Sequence, residues 1–214
     1  MKSGKYTGKI KAEKVAVMGF SFASYTTHAA IAEKPEIADA VILTGIGLNA
    51  TGSGPGVPGI NGKGLLRSFV PRIANVENPA LYGDRDAGYL TWPSVYDLTM
   101  NYFKAPGFEQ DVAIFTESAK QPFSIAEFLT FGDPTAISAE KWDKPALHIT
   151  GELDYIVCDG QCNGIWDEPA KTFYKNAKPL QQHLVKGASH HINFHTNAQE
   201  SFSVITDFLD KNGL

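Results

Sequence analysis

Short apolar runs rich in valine, isoleucine and leucine punctuate the chain. The first, KVAVMGF from Lys14 to Phe20, is too short for a helix and predicts a buried strand. The next stretch, FASYTTHAAIAEKP from Phe22 to Pro35, is alanine-rich and predicts a helix that Pro35 stops. ADAVILTG, Ala38 to Gly45, reads as a second buried strand. Strand, helix and strand in so short a span make one βαβ unit, whose strands run parallel and are covered on both faces. KPALHITG (Lys144 to Gly151) and LQQHLVKG (Leu180 to Gly187) predict two more strands. The end, TNAQESFSVITDFLDKNG, predicts an amphipathic helix with Phe202, Ile205, Phe208 and Leu209 on one face and Gly213 at its C-terminal cap.

Between the second and third strands the pattern changes. GIGLNATGSGPGVPGINGKG, Gly45 to Gly64, is rich in glycine with proline and asparagine and predicts a loop. From about Leu65 to Lys141 the chain carries many aromatics in irregular segments: YLTWPSVYDLTMNYF, VAIFTESAK and FSIAEFLTF. These predict short helices packed over the sheet as an insertion, not further βαβ units. The expectation is a single α/β domain over residues 1–214, with about four mainly parallel strands flanked by helices and residues 65–141 inserted.

Composition agrees. The 214 residues are enough for one substantial core, and 43% apolar with 20% charged residues is ordinary globular usage. The net charge of −4, with no run of basic residues, gives no reason to expect nucleic acid as a partner. No stretch approaches the ~20 apolar residues of a membrane span, and MKSGKYTGKIKAEK lacks the apolar segment of a secretory signal. The two cysteines, Cys158 and Cys162 in CDGQC, fit either a short disulfide or free thiols. No second Cys/His pair stands at structural-zinc spacing, so a metal is the weakest reading. A disulfide would argue for an oxidising, extracellular-type compartment; nothing else in the chain addresses location.

The chemistry gathers at strand ends. In GFSFA, Gly19 to Ala23, Ser21 sits at a strand-to-helix corner with small residues two before and two after it, as the close approach of strand and helix requires. The helix that follows brings its positive end to the site. A serine nucleophile needs a base, and the base needs an orienting acid. Asp154 follows the strand ALHITG within GELDY, and His190 follows the strand HLV within KGASHHINFH. Ser, Asp and His thus follow three separate strands in the order this architecture uses. Competing groups read otherwise: Glu152 as solvated, Asp159 as part of the cysteine loop, and His195 as the start of the last helix. His28, His148 and His183 read as packing residues, and His191 competes with His190 for the serine.

These motifs resemble the α/β-hydrolase superfamily, specifically serine hydrolases with a helical cap. VAVMGFSFAS resembles the family's nucleophile elbow, ALHITGELDYIV the segment with its acid, and KGASHHINFHTNAQESFSVITDFL the segment with its histidine and final helix. The resemblance implies Ser21, Asp154 and His190 as triad, the backbone N–H of Phe22 as one oxyanion donor, and 65–141 as the cap. GASH, Gly187 to His190, matches the family's histidine stretch and favours His190 over His191. The family carries several strands ahead of its elbow, including a turn that completes the oxyanion hole. The comparison therefore implies the C-terminal part, or an N-terminally shortened form, of the hydrolase sheet. An edge left open there favours a homo-oligomer. The implied activity is hydrolysis of a small or medium apolar ester or lactone, without a cofactor. The alternative is a catalytically inactive relative that binds a small molecule or a protein.

Overall fold

A computed structural model describes residues 3–5, 7–8, 10–48, 71–130 and 133–214. Four strands, β1 (Ala16–Phe20), β2 (Ala40–Thr44), β6 (Ala146–Gly151) and β7 (Leu180–Val185), form one sheet in the order β1-β2-β6-β7. Every neighbouring pair in it is parallel. Each expected strand is present, trimmed by one to two residues at its ends. β2 and β6 are buried throughout because they lie in the middle and are covered on both faces, which is why they read as unbroken apolar runs. β1 lies at the edge, and its Met18 is 56% exposed.

The two faces of the sheet carry two cores. Val41 and Leu43 point to one side, with Tyr25 and Ile31 of the helix Phe22–Glu33 and with Trp142 and Tyr174. Ile42, Leu147, Ile149 and Val185 point to the other, against Phe208 of the helix Ala198–Lys211. The alternation of Ile42 and Leu43 between the cores is the period of two of a strand buried on both faces. In the last helix Phe208, Ile205 and Leu209 face the sheet as expected. Phe202 does not: it is 48% exposed, while Val204 packs inward. The buried stripe runs through Ser201, Val204, Ile205 and Phe208, one residue round from the predicted one. Gly213 has a φ of 66°, the left-handed turn expected after a helix end.

The helix after β1 ends at Glu33, and Pro35 opens a single 3₁₀ turn. Of the predicted loop Gly45–Gly64, residues 49–64 lie outside the described residues, as do 65–70 of the predicted insertion. From residue 71 the intervening segment contains the expected short helices, Val95–Tyr102, Gln110–Ala119 and Ile125–Leu129 among them. It also contains something not predicted, a small antiparallel sheet of β3 (Arg72–Ile73), β4 (Tyr89–Thr91) and β5 (Phe123–Ser124). Strands of two or three residues are too short to show a period of two. The segment has its own aromatic core of Trp92, Leu98 and Phe103, into which Phe194 packs from beyond β7. Among the described residues no helix is long and apolar enough to cross a membrane.

Candidate active site

The corner after β1 is tight. A Cβ on Gly19 would stand 2.5 Å from the carbonyl oxygen of Ala23 and 2.6 Å from Ser24 Cα, so only glycine fits where strand and helix cross. Ser21 sits at the tip with φ 51° and ψ −123°, a conformation that non-glycine residues adopt only when their surroundings force it. Here β2 supplies the force. Ser21 N–H donates to Thr44 O at 2.8 Å, and Ser24 Oγ–H donates to the same oxygen at 2.8 Å. Thr44 Oγ1–H in turn donates to Gly19 O at 2.9 Å. Ser21 occupies the N-cap position of the helix, yet its side chain makes no capping bond. Phe22 N–H stands at the first helical position behind it.

Asp154 follows β6 and caps the short helix Tyr155–Cys158, its Oδ1 accepting from Val157 N–H at 2.9 Å. Its Oδ2 accepts from the Thr150 hydroxyl at 2.6 Å and lies 2.7 Å from His190 Nδ1. Both side chains of the Asp154–His190 pair are fully buried. Burial alone would raise the Asp154 carboxyl. The charge of His190, with the hydrogen bonds from His190, Thr150 and Val157, outweighs it and holds the group below its ordinary value. The ionised carboxylate can only accept, so Nδ1 carries the proton between the two groups, and Nε2 is the ring nitrogen turned away from Asp154. Nε2 is buried and has no hydrogen-bond partner among the described residues. Gly45 closes one side of the ring: it has φ 62°, and a Cβ there would stand 2.8 Å from His190 Cε1. Phe20, next to Ser21, packs against the His190 ring at 5.1 Å. Ser21, Asp154 and His190 are thus carried by the turns after β1, β6 and β7 at the same C-terminal edge of the sheet.

Ser21 and Phe22 line a cavity of about 400 Å³ whose walls include Trp92, Tyr102, Ile156 and His191. Most of its lining is aromatic or aliphatic, and much of it comes from the segment between β2 and β6. Burial pushes the Tyr102 hydroxyl up to about 12, so it stays protonated. Lys120 reaches this cavity but is paired with Glu117 and donates to Trp92 O at 2.6 Å.

The other candidates take structural places. His28 bridges the Tyr174 hydroxyl at 2.7 Å and Ile137 O at 2.8 Å. His148 is buried in β6 with its ring edge-on to Tyr174, and His183 pairs with Glu200 at 3.0 Å. His195 Nε2 accepts from Ser189 N–H at 3.0 Å and Lys104 N–H at 3.3 Å, which fixes the loop around His190. Glu152 accepts from Asn163 and from Gly187 N–H, bracing the turn after β7. Asp159 ends the short helix in a left-handed conformation, φ 54°. Cys158 and Cys162 are joined as a disulfide with Cα atoms 4.9 Å apart, and both are buried. Among the described residues no group of His, Cys, Asp or Glu is arranged to hold a metal ion.

Sequence reasoning missed Thr150, Gly45 and Tyr102. Thr150 left a usable signal, a hydroxyl on β6 one turn before Asp154. Gly45 and Tyr102 left none, since only the fold brings them to His190 and Ser21.

No protein-family model matches the chain, and no curated protein matches it. Solved structures do. Tomato methylketone synthase I complexed with 2-tridecanone superimposes with a TM-score of 0.60 at 12% identity, over 94% of this chain and 72% of that one. A monoacylglycerol lipase from Paleococcus ferrophilus gives 0.57 at 16% identity, over 94% and 69%. A structure from work on carboxylesterases of the thaumarchaeon Nitrososphaera gargenis gives 0.56 at 12% identity, over 94% and 66%. The chain spans about two thirds to three quarters of the length of these relatives. With its parallel sheet, sharp serine corner and Asp–His pair at one sheet edge, the chain has the α/β-hydrolase fold.

Proposed function

We propose that the protein is a serine hydrolase that cleaves a small or medium apolar carboxylic ester or lactone. The observation that carries this reading is the buried Asp154–His190 pair, with Nε2 left unpartnered, at the sheet edge where the strained Ser21 opens into an apolar cavity. His190 Nε2 takes the Ser21 proton as Oγ attacks the acyl carbon, and returns it to the leaving alkoxide. Asp154 holds the ring in the tautomer with Nδ1–H and stabilises the imidazolium that forms. Phe22 N–H, at the positive end of the elbow helix, receives the developing oxyanion. Water then attacks the acyl-enzyme by the same route in reverse. The segment within residues 65–141 acts as the cap, since it supplies Trp92, Tyr102 and Phe123 to the cavity wall. The likeness to a solved monoacylglycerol lipase and to a structure from work on carboxylesterases adds support. The test is hydrolysis of p-nitrophenyl butyrate and labelling of Ser21 by a fluorophosphonate. Equal rates for the protein and Ser21→Ala would sink the assignment, and an unlabelled Ser21 would favour a catalytically inactive binding module.

A further inference from the structure

His191 is clamped by aromatic rings beside the Asp154–His190 pair, yet the proposed reaction makes no use of it. Its ring stacks on Tyr102 with centroids 4.3 Å apart and planes at 23°. Phe103 and Phe194 meet it edge-on at 5.5 and 5.3 Å, and Phe20 packs at 5.2 Å. Its N–H donates to Tyr102 O at 3.0 Å, and its carbonyl accepts from His195 Nδ1–H at 2.9 Å. None of these contacts uses a nitrogen of the His191 ring. Nδ1 is sealed from solvent and has no partner among the described residues. A buried polar atom left unpaired costs stability, and a phenylalanine would fill the same aromatic clamp without that cost. The clamp therefore does not explain the imidazole.

The cavity does. His191 lines it together with Ser21, in a wall that is mostly aromatic and aliphatic and carries the polar side chains of Thr116, Lys120, Gln121 and Glu127 elsewhere. Burial, reinforced by His190, holds the His191 ring down to about 3, so it is neutral at working pH. A sealed lone pair costs less than a sealed N–H. The favoured tautomer thus leaves Nδ1 bare and puts the proton on Nε2. The ring offers a neutral donor held in place by the aromatic clamp, in a mostly apolar cavity that it lines together with Ser21, where a hydrogen bond discriminates well.

We propose that His191 is a specificity-determining residue that donates a hydrogen bond to an acceptor oxygen, ether or keto, carried by the acyl part of the substrate a few bonds from the reacting carbonyl. The proposal rests on the hydrolase reading and names the substrate class within it: oxygenated acyl esters rather than plain hydrocarbon ones. The distance follows from geometry, because the His190 and His191 rings are 6.4 Å apart, nearly parallel, and both pack on Phe20.

Two isosteric probes test it, benzyl methoxyacetate and benzyl butyrate, which differ only in one oxygen for one methylene. Their dissociation constants are measured by calorimetry on the full chain carrying Ser21→Ala, so that binding is read apart from turnover. Adding His191→Phe, which keeps the aromatic clamp, is expected to shift the affinity ratio about tenfold towards the butyrate, the value of one well-placed hydrogen bond. His191→Gln is expected to recover part of the shift, and His191→Leu replaces the Phe variant if thermal melting shows that variant unfolded. An unchanged ratio in the apolar variant overturns the proposal. Failure of the unmodified protein to cleave both p-nitrophenyl methoxyacetate and p-nitrophenyl butyrate overturns the hydrolase reading instead, and does so without touching the binding ratio.

Discussion

Ser21 pays for its position in backbone strain. A non-glycine residue at φ 51° costs on the order of 1–3 kcal/mol, and the bonds to Thr44 hold it there. Ser21→Gly is therefore expected to raise stability by about 1 kcal/mol in urea titrations while abolishing ester hydrolysis. Asp154→Asn keeps the shape of the buried pair but removes the charge that orients the imidazole. It is expected to lower kcat by about 10²–10⁴-fold with KM little changed, read from steady-state kinetics. Gly45 tests the other side of the ring. Gly45→Ala drives a methyl to 2.8 Å from His190 Cε1 at a φ that alanine resists, so turnover should fall about tenfold or more while most of the fold survives. Circular dichroism alongside kinetics separates the two effects.

At the scale of elements, the Asp and His turns are locked to each other rather than built independently. A Cβ on Gly151 would collide with the carbonyl oxygens of Ser189 and Ala188, so the end of β6 lies directly against the turn that bears His190. Leu153 N–H donates to Ala188 O at 2.9 Å across the same seam. The disulfide closes the next loop: Cys162 N–H donates to Glu152 O at 2.9 Å, and Gly160 N–H donates to Asp154 O at 3.0 Å. Closing so small a ring is worth about 2 kcal/mol by loop entropy. Replacing both cysteines by serine is expected to cost about that much in denaturant titrations, and to lower kcat further than stability alone explains, because the loop braces Asp154. Strands β2 and β6 were legible because burial on both faces turns a strand into an unbroken apolar run. The small sheet β3-β4-β5 was not, since its paired residues lie up to 35 apart in sequence, as Tyr89 and Ser124 do, and each strand is too short to show a period. Phe202 misled for a related reason: on a helix whose stripe is set by Ser201 and Phe208, a large apolar residue one position off faces water.

For the whole molecule, buried histidines set the response to acid. His148 and His191 are each held down to about 3, mainly by burial. Unfolded, each has a pKa of about 6.5, so between those limits the unfolded chain binds protons that the folded chain does not. Their stabilising effect is thus intact above about pH 6.5 and is lost as pH falls, at up to about 1.4 kcal/mol per pH unit for each. Asp154 works in the same direction lower down, because its depressed value makes its contribution complete above about pH 4 and lost below it. His28 and His195, also held down chiefly by burial, add to the same trend, so urea midpoints measured from about pH 7 to about pH 4.5 should decline steeply, and His148→Leu should make the slope shallower without abolishing it. A slope unchanged in that variant would refute the argument. What the amino-acid order determined by itself was local: four strands, the serine corner that Gly19 and Ala23 permit, and an acid and a histidine placed after strands in a workable order. Those follow from burial pattern and backbone sterics, which neighbouring residues decide. The tertiary structure paired Asp154 with the His190 that the GASH stretch had already favoured, joined Cys158 to Cys162, and set Thr150 and Gly45 around the Asp154–His190 pair. The contacts to His190 depend on which strand ends stand side by side, a distance in space that sequence separation does not carry, while the disulfide and the Thr150 bond depend on local loop geometry that spacing alone leaves open.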